Sequence, residues 1–196
     1  MGLRTWLGLR HDPRKGVLPH VSLTPTPENY WQRRHGMRYY AEAQALCHRA
    51  SSAPASVLDV GSRGCPHLEW FPTAHRRVSV DIEHPYIAEG VEHIVADFLT
   101  YRPEARFDLC LCLQVIEHVP DATRFAQHLL SMSRDLVVSV PYKWPEDATE
   151  QHCHDPIDET KMEAWFGRKP TMSVVAAEER AGPKSRRIIC YYRSLE

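Results

Sequence analysis

The stretch that decides the fold of this chain is Val57-Leu58-Asp59-Val60-Gly61-Ser62-Arg63-Gly64. A short apolar run carrying one acid leads directly into a turn with two glycines. Glycine has no Cβ, so a backbone that contains it can approach a ligand closely. In open α/β sheets, ligands bind beyond the carboxyl ends of the strands. The stretch therefore predicts a buried strand followed by a ligand-binding turn.

Similar apolar runs continue along the chain after this first strand. They cover Arg77–Asp81, Glu92–Ala96, Phe107–Leu113 and Leu136–Pro141. Short, almost wholly apolar runs are typical of strands that are covered on both faces. A helical pattern over Asp121–Ser131 separates the last two runs. The alternation predicts a doubly wound, mostly parallel α/β sheet.

The flanking parts of the chain carry weaker patterns. Residues 1–28 contain four prolines and no period, so they predict an irregular arm, and residues 29–196 form one domain. A helical pattern covers Glu28–Ala50, and another covers Ile157–Phe166. Two closing strands are predicted over Thr171–Ala177 and Arg186–Arg193.

Composition excludes several classes of protein. The formal net charge of -1 provides no positive field that would gather nucleic acid. No apolar stretch approaches the ~20 residues that a membrane span needs. The six cysteines form no CxxC pair, and Cys110 and Cys112 lie within an apolar run. Buried thiols of this kind indicate a reducing, cytoplasmic compartment.

Three acids follow one another at the ends of the first three predicted strands: Asp59, Asp81 and Asp97. A carboxylate in the position of Asp81 can accept hydrogen bonds from both hydroxyls of a ribose. Asp97 is placed to accept one from the exocyclic amine of an adenine. Taken singly, each acid also fits a helix N-cap. As an ordered set they predict an adenosyl ligand lying across the sheet.

These motifs resemble those of the Rossmann-like S-adenosylmethionine (SAM)-dependent methyltransferases, in the branch with ubiquinone-type and small-molecule enzymes. The likeness spans Ser56 to Pro141. It rests on Asp59–Gly64, Val80–Ile82, Val95–Phe98 and the run Phe107–Val119. The resemblance implies a seven-stranded sheet with helices on both faces and an antiparallel last strand.

The resemblance also implies SAM as the cofactor and a set of residues that hold it. They are Asp59, Gly61, Ser62, Arg63, Gly64, Asp81, Ile82, Asp97, Phe98 and Gln114. Where the family's turn usually has glycine, this chain has Arg63 and Cys65. Arg63 points either to solvent or towards the SAM carboxylate, with which a guanidinium can pair.

The loop after the fifth predicted strand concentrates groups that can act on a methyl acceptor. It contains His152, Cys153, His154 and Asp155. A histidine can take the proton of an attacking hydroxyl, and His154, oriented by Asp155, is the first candidate. A metal site made of these residues lacks a usual ligand spacing, so no metal is predicted. The remaining interpretation is a structural turn that caps the next helix.

His118 and His152 are further catalytic candidates. By likeness to the family, Glu117-His118 lies close to the site of methyl transfer, although ordinary packing at a helix start explains the pair equally well. Tyr30 and Trp31 either cover the pocket or pack against the sheet.

The sequence thus predicts a SAM-dependent methyltransferase whose acceptor is a small molecule, through a hydroxyl or amine of a metabolite or sugar. One alternative, suggested by the altered glycine turn, is a SAM-binding protein without catalytic activity. Another is a subunit that uses the fold only to bind a partner. A nicotinamide oxidoreductase needs the G-x-G-x-x-G turn. Here Gly61 and Gly64 lack the third glycine, and Pro66 follows at once.

Overall fold

A computed structural model describes residues 30–146, 148–179 and 182–194; the predicted arm, residues 1–28, lies outside them. Seven strands form one sheet in the order β3-β2-β1-β4-β5-β7-β6. They are β1 Ser56–Val60, β2 Arg76–Asp81, β3 Val91–Val95, β4 Phe107–Leu113, β5 Ser133–Pro141, β6 Met172–Ala177 and β7 Arg186–Arg193. Strands β1 to β5 pair in parallel, and β7 is antiparallel to both β5 and β6. The predicted doubly wound sheet with an antiparallel last strand is confirmed.

Helices of two kinds connect the described strands. The α-helices are α1 Tyr30–Arg34, α2 Arg38–Ala50, α3 Ala122–Met132 and α4 Glu159–Phe166. The 3-10 helices are η1 His67–Trp70, η2 Phe98–Thr100 and η3 Ile116–His118. Asp121 and Asp158 begin α3 and α4, each accepting a hydrogen bond from a backbone N–H of the first turn. In the described part of the chain, none of these helices has the length and apolar character needed to cross a bilayer.

Both faces of the sheet are covered, as predicted, and β4 shows how. Cys110 and Cys112 belong to a core cluster shared with α3 and α4, whereas Leu109 and Leu111 belong to a second cluster shared with α2. Successive side chains of a strand point to opposite faces. Coverage on both sides therefore explains why this strand is apolar at almost every position.

The helix predicted over Glu28–Ala50 is wrong in one respect, because its described part consists of two helices. α1 ends at Arg34 and α2 begins at Arg38. The turn between them contains Gly36, a poor helix former. In α2, Tyr39, Tyr40, Ala43, Leu46 and Cys47 are buried, whereas Ala41 is exposed.

The first two crossovers contain no α-helix among the described residues. Between β1 and β2 only η1 is helical, and it follows Pro66. The connection between β2 and β3, residues 82–90, is too short for a helical crossover, which usually takes about a dozen residues or more. The carboxyl edge beside β1 and β2 is therefore formed by tight turns.

Candidate functional site

The turn after β1 has three residues in the left-handed region: Gly61 at φ 74°, Arg63 at φ 49° and Gly64 at φ 73°. A Cβ on Gly61 would lie 2.5 Å from Cγ2 of Val115, just beyond the end of β4. Glycine is therefore required where this turn passes β4. Strand order reverses between β1 and β4, and ligands of open α/β sheets bind in the crevice at such a point.

The carboxylate of Asp81 joins the turn after β1 to the turn after β2. Its Oδ2 accepts a hydrogen bond from the backbone N–H of Arg63 at 2.9 Å. Its Oδ1 accepts two more, from the N–H groups of Glu83 and His84, each at 2.9 Å. Asp81 is 2% exposed and lies in the wall of the crevice. The sequence-predicted ribose acceptor is thus held rigidly beside the glycine turn.

Asp59 does not reach the crevice directly. It is fully buried, and its Oδ2 lies 3.0 Å from Nδ1 of His67. His67 itself lines the crevice, where Cys65 is a second side-chain partner of its ring. Burial lowers the pKa of His67, but the attraction of Asp59 outweighs burial and raises the pKa to about 9. Asp59 therefore favours the protonated form of His67 and orients its ring. His67 was not among the site residues predicted from the sequence.

This ion pair predicts a pH dependence of stability. The pKa of His67 is higher in the folded chain than the usual 6.5, so its contribution is complete below pH ~6.5 and is lost as pH rises through about 9. The lost free energy of unfolding is at most on the order of 3 kcal/mol. The melting temperature of the wild type should fall more steeply over this window than that of His67→Asn. Parallel curves for the two proteins would contradict the charged pair.

The crevice brings together part of the predicted cofactor set. Its described walls contain Gly61, Ser62, Arg63, Asp81, Gln114 and His118, together with Tyr30, Tyr40, Cys65, His67, Leu113 and Val115. The enclosed volume is only about 50 Å³, well below the ~300 Å³ and upwards typical of ligand pockets. Two larger depressions, of about 590 and 860 Å³, lie at the amino ends of β4 and β5 and beside the β6–β7 connection. Of these three, the smaller crevice is the one at the switch point of the sheet.

Other residues of the predicted cofactor set lie outside the described lining. Asp97 caps η2 by accepting a hydrogen bond from the N–H of Leu99 at 2.9 Å. Phe98 is 1% exposed and packs edge-on against Phe125. Ile82 is half-buried against the same core. Their roles, and that of Gly64, stay predictions, and Asp97 has the surroundings expected of an N-cap.

Arg63 is exposed, and its guanidinium lies 4.9 Å from the centroid of the Tyr30 ring. Tyr30 also lines the crevice, so the two side chains form part of its mouth. A ligand of the size of SAM requires the crevice to widen.

We expect Arg63→Gly to change SAH affinity by no more than a few-fold. Glycine relieves the left-handed strain of about 1–2 kcal/mol and loses a cation–π contact of about 0.5–1 kcal/mol. Calorimetric titration with S-adenosylhomocysteine (SAH) measures the effect. Arg63→Ala is the matched control, since it removes the guanidinium but keeps a Cβ at positive φ. A large loss in both variants would show that the guanidinium clamps the cofactor.

On the β4 side of the crevice, His118 presents one free ring nitrogen. Its Nδ1 lies 3.0 Å from the carbonyl oxygen of Gln151, and a carbonyl can only accept, so Nδ1 donates and Nε2 keeps its lone pair. Burial lowers the pKa of His118 to about 4, so the ring is uncharged at neutral pH. Beside it, burial raises the pKa of Glu117 to about 8. Glu117 Oε1 lies 4.0 Å from His118 Nε2.

The histidines of the loop after β5 have separate surroundings. His152 lies next to His118, with ring centroids 4.8 Å apart, and its Nδ1 is 2.7 Å from Asp155 Oδ2. His154 instead donates from Nε2 to the carbonyl oxygen of Val119 at 2.7 Å and packs against Trp165. Asp155 therefore orients His152, whereas the sequence analysis paired it with His154. The catalytic role of His154 stays a prediction, and the geometry favours His118.

Comparison with known proteins identifies the fold. The sequence matches no protein-family model and no curated protein. Among solved structures, N-methyltransferase NodS from Bradyrhizobium japonicum WM9, in complex with SAH, has a TM-score of 0.66 at 13% identity, over 87% of this chain and 90% of that chain. The 1,6-didemethyltoxoflavin-N1-methyltransferase of Burkholderia thailandensis, with bound 1,6-didemethyltoxoflavin and SAH, has a TM-score of 0.69 at 19% identity, over 86% and 84%.

A third structure is the plantazolicin methyltransferase BpumL, in complex with a monoazolic desmethylPZN analog and SAH. Its TM-score is 0.59 at 12% identity, over 85% of this chain and 88% of that chain. At these identities the likeness concerns the fold. The chain has the fold of the Rossmann-like SAM-dependent methyltransferases.

Proposed function

We propose that this chain is a SAM-dependent methyltransferase that acts on a small molecule. The main support for this proposal is the crevice at the switch point. There the Asp81 carboxylate accepts a hydrogen bond from the Gly61–Gly64 turn. A Cβ at Gly61 would clash with the Val115 side chain, so glycine lets this turn lie close to the end of β4. The buried ring of His67 forms a further polar part of the crevice wall. These features fit an adenosyl ligand whose ribose lies at Asp81.

SAM supplies a methyl group on a sulfonium, which is lost by in-line displacement. The protein then has to align the acceptor, exclude water and remove a proton where the acceptor is a hydroxyl or amine. Gln114 and His118 form the side of the crevice beyond β4, away from Asp81. The free Nε2 lone pair of His118 supports an acceptor bound on this side.

Two observations support a small-molecule acceptor. Two of the structural neighbours were solved with small-molecule acceptors or analogues beside SAH. The net charge of -1 provides no overall positive field that would gather nucleic acid. The buried free thiols, such as Cys110 and Cys112, support the predicted cytoplasmic location.

The altered turn favours one second candidate, a SAM-binding protein without turnover. Arg63 holds a positive φ that glycine would adopt without strain, and it covers the crevice together with Tyr30. Such a protein would bind the cofactor but admit no acceptor.

Two measurements test these proposals. Calorimetry should show binding of SAM and SAH but not of NAD⁺, and SAH should raise the melting temperature by mass action. Incubation with methyl-labelled SAM and a cell extract should then place label on a small molecule. Cofactor binding without label in any acceptor would favour the inactive SAM-binding protein. Binding of NAD⁺ in place of SAH would refute both.

A further inference from the structure

Three potential metal ligands meet beside the crevice, and one of them, His118, forms part of its wall. Glu117, His118 and His152 each offer one ligand atom, and these atoms all lie within 4.8 Å of one another. Two of the residues come from η3 and one from the loop after β5. The backbone N–H of Cys153 donates to the carbonyl oxygen of Glu117 at 2.8 Å, which ties the loop to η3. The cluster is therefore held by two anchored segments.

Both imidazoles are oriented in the same way. Nδ1 of His118 is bound to the Gln151 carbonyl oxygen, and Nδ1 of His152 to the Asp155 carboxylate. In each ring Nε2 is left with a free lone pair. Metal-binding histidines characteristically donate their other ring nitrogen to a carbonyl or a carboxylate. The cluster thus already has the supporting contacts that such ligands require.

The carboxylate of Glu117 lacks a partner for one oxygen. Glu117 is 1% exposed, and its Oε2 makes no hydrogen bond within the described residues. The two nearby arginines also have other partners, since Arg187 pairs with Glu178 at 3.6 Å and Arg34 shares a side-chain hydrogen bond with Tyr39. A buried carboxylate oxygen without a partner is costly. A bound cation would satisfy it.

We propose that Glu117, His118 and His152 bind one divalent transition-metal ion at the acceptor end of the crevice. Two imidazoles and one carboxylate suit ions such as Zn²⁺ or Mn²⁺ and leave coordination positions open. Metal–ligand distances of about 2.0–2.2 Å put the ligand atoms roughly 3–3.5 Å apart. Side-chain rotations that bring the most distant ligand atoms roughly 1–2 Å closer together complete the site.

The role of the ion rests on the proposed methyltransferase function. An open coordination position of the ion would bind the acceptor hydroxyl. The ion would lower the pKa of that hydroxyl, so the hydroxyl proton would pass to solvent. The acceptor oxygen then forms a bond to the methyl carbon as the carbon–sulfur bond of SAM breaks. The sulfur keeps the electron pair, and SAH leaves.

This site differs from the one considered in the sequence. Of His152, Cys153 and His154, only His152 belongs to the cluster. The Cys153 thiol is exposed and lies 3.7 Å from the carbonyl oxygen of His118, and His154 is bound to Val119. Neighbouring side chains of an extended loop diverge. The missing ligands come from η3, which sequence spacing does not reveal.

The test titrates the full chain, freed of metal by a chelator, with ZnCl₂ and with MnCl₂. We expect one ion per chain, and visible absorption of a Co²⁺ derivative should report imidazole ligands. Glu117→Gln, His118→Asn and His152→Asn should each weaken binding by at least about tenfold. In the two histidine variants the Asn amide can replace the Nδ1 donor, so the loop contacts survive. Asp155→Asn, which removes the carboxylate that orients His152, should weaken binding by about 10–100-fold.

The controls are Cys153→Ser and His154→Gln, which should leave ion affinity unchanged. Loss of binding in either control, or unchanged binding in both Glu117→Gln and His152→Asn, would overturn the site. Circular dichroism establishes that each variant is folded. SAH titration of the metal-free chain separates the two proposals. Ion binding without SAH binding would refute the methyltransferase and keep the metal site, and the reverse result would refute the metal site alone.

Discussion

Asp81→Asn should weaken SAH binding by roughly 10- to 100-fold, because hydrogen bonds to a charged group contribute about 1.5–3 kcal/mol. The carboxylate already accepts three backbone N–H groups, from Arg63, Glu83 and His84. Ribose hydroxyls would use its remaining acceptor capacity. Asparagine keeps the shape and one acceptor oxygen but replaces the other with a donor. Calorimetric titration of both proteins with SAH gives the ratio.

The matched control is Asp108→Asn. Asp108 lies at the amino end of β4, where it accepts hydrogen bonds from Ser56. The substitution makes the same change of charge at the opposite edge of the sheet, so SAH affinity should be nearly unchanged. Since Asp81 also joins two turns, the melting temperature of each variant is measured without ligand. Equal SAH affinity in folded Asp81→Asn and wild type would remove Asp81 from the cofactor site.

The strands could be predicted closely from the sequence because their apolar character follows directly from burial. β4 has the predicted bounds, Phe107–Leu113, and β1, Ser56–Val60, covers the apolar run before the glycine turn. β5 begins at Ser133, three residues before the predicted Leu136, because its early part includes Arg134 and Asp135 at the rim. Polar residues at a strand end do not disturb pairing, but they hide the strand from a search for apolar runs.

Side-chain partners in the crevice could not be predicted in the same way. Asp59 and His67 are eight residues apart on different elements, and only the path of the turn brings them to 3.0 Å. Asp155 is next to His154 in sequence but orients His152. The direction of a loop side chain depends on tertiary contacts, here the attachment of the loop to η3. The types of residue at the site were thus predictable, whereas their pairing was not.

His118→Asn should lower methyl transfer by roughly 10²–10⁴-fold, the usual scale for a group that removes a proton. Both roles considered for His118, proton acceptor and metal ligand, need its free Nε2. An Asn amide can keep the hydrogen bond to the Gln151 carbonyl oxygen, yet it provides nothing in place of Nε2. The fold and SAH affinity should therefore change little. Transfer from labelled SAM to the acceptor found in the extract measures the loss.

His154→Gln is the comparison that decides between the two histidines. The Gln amide can still donate to the carbonyl oxygen of Val119, which is buried beneath the loop. Activity should stay within a few-fold of wild type. His154→Ala leaves that carbonyl without its donor, so it should cost about 1 kcal/mol of stability while activity per folded molecule is kept. The opposite pattern, with His154→Gln inactive and His118→Asn active, would restore His154 as the base and place the acceptor on the far side of η3.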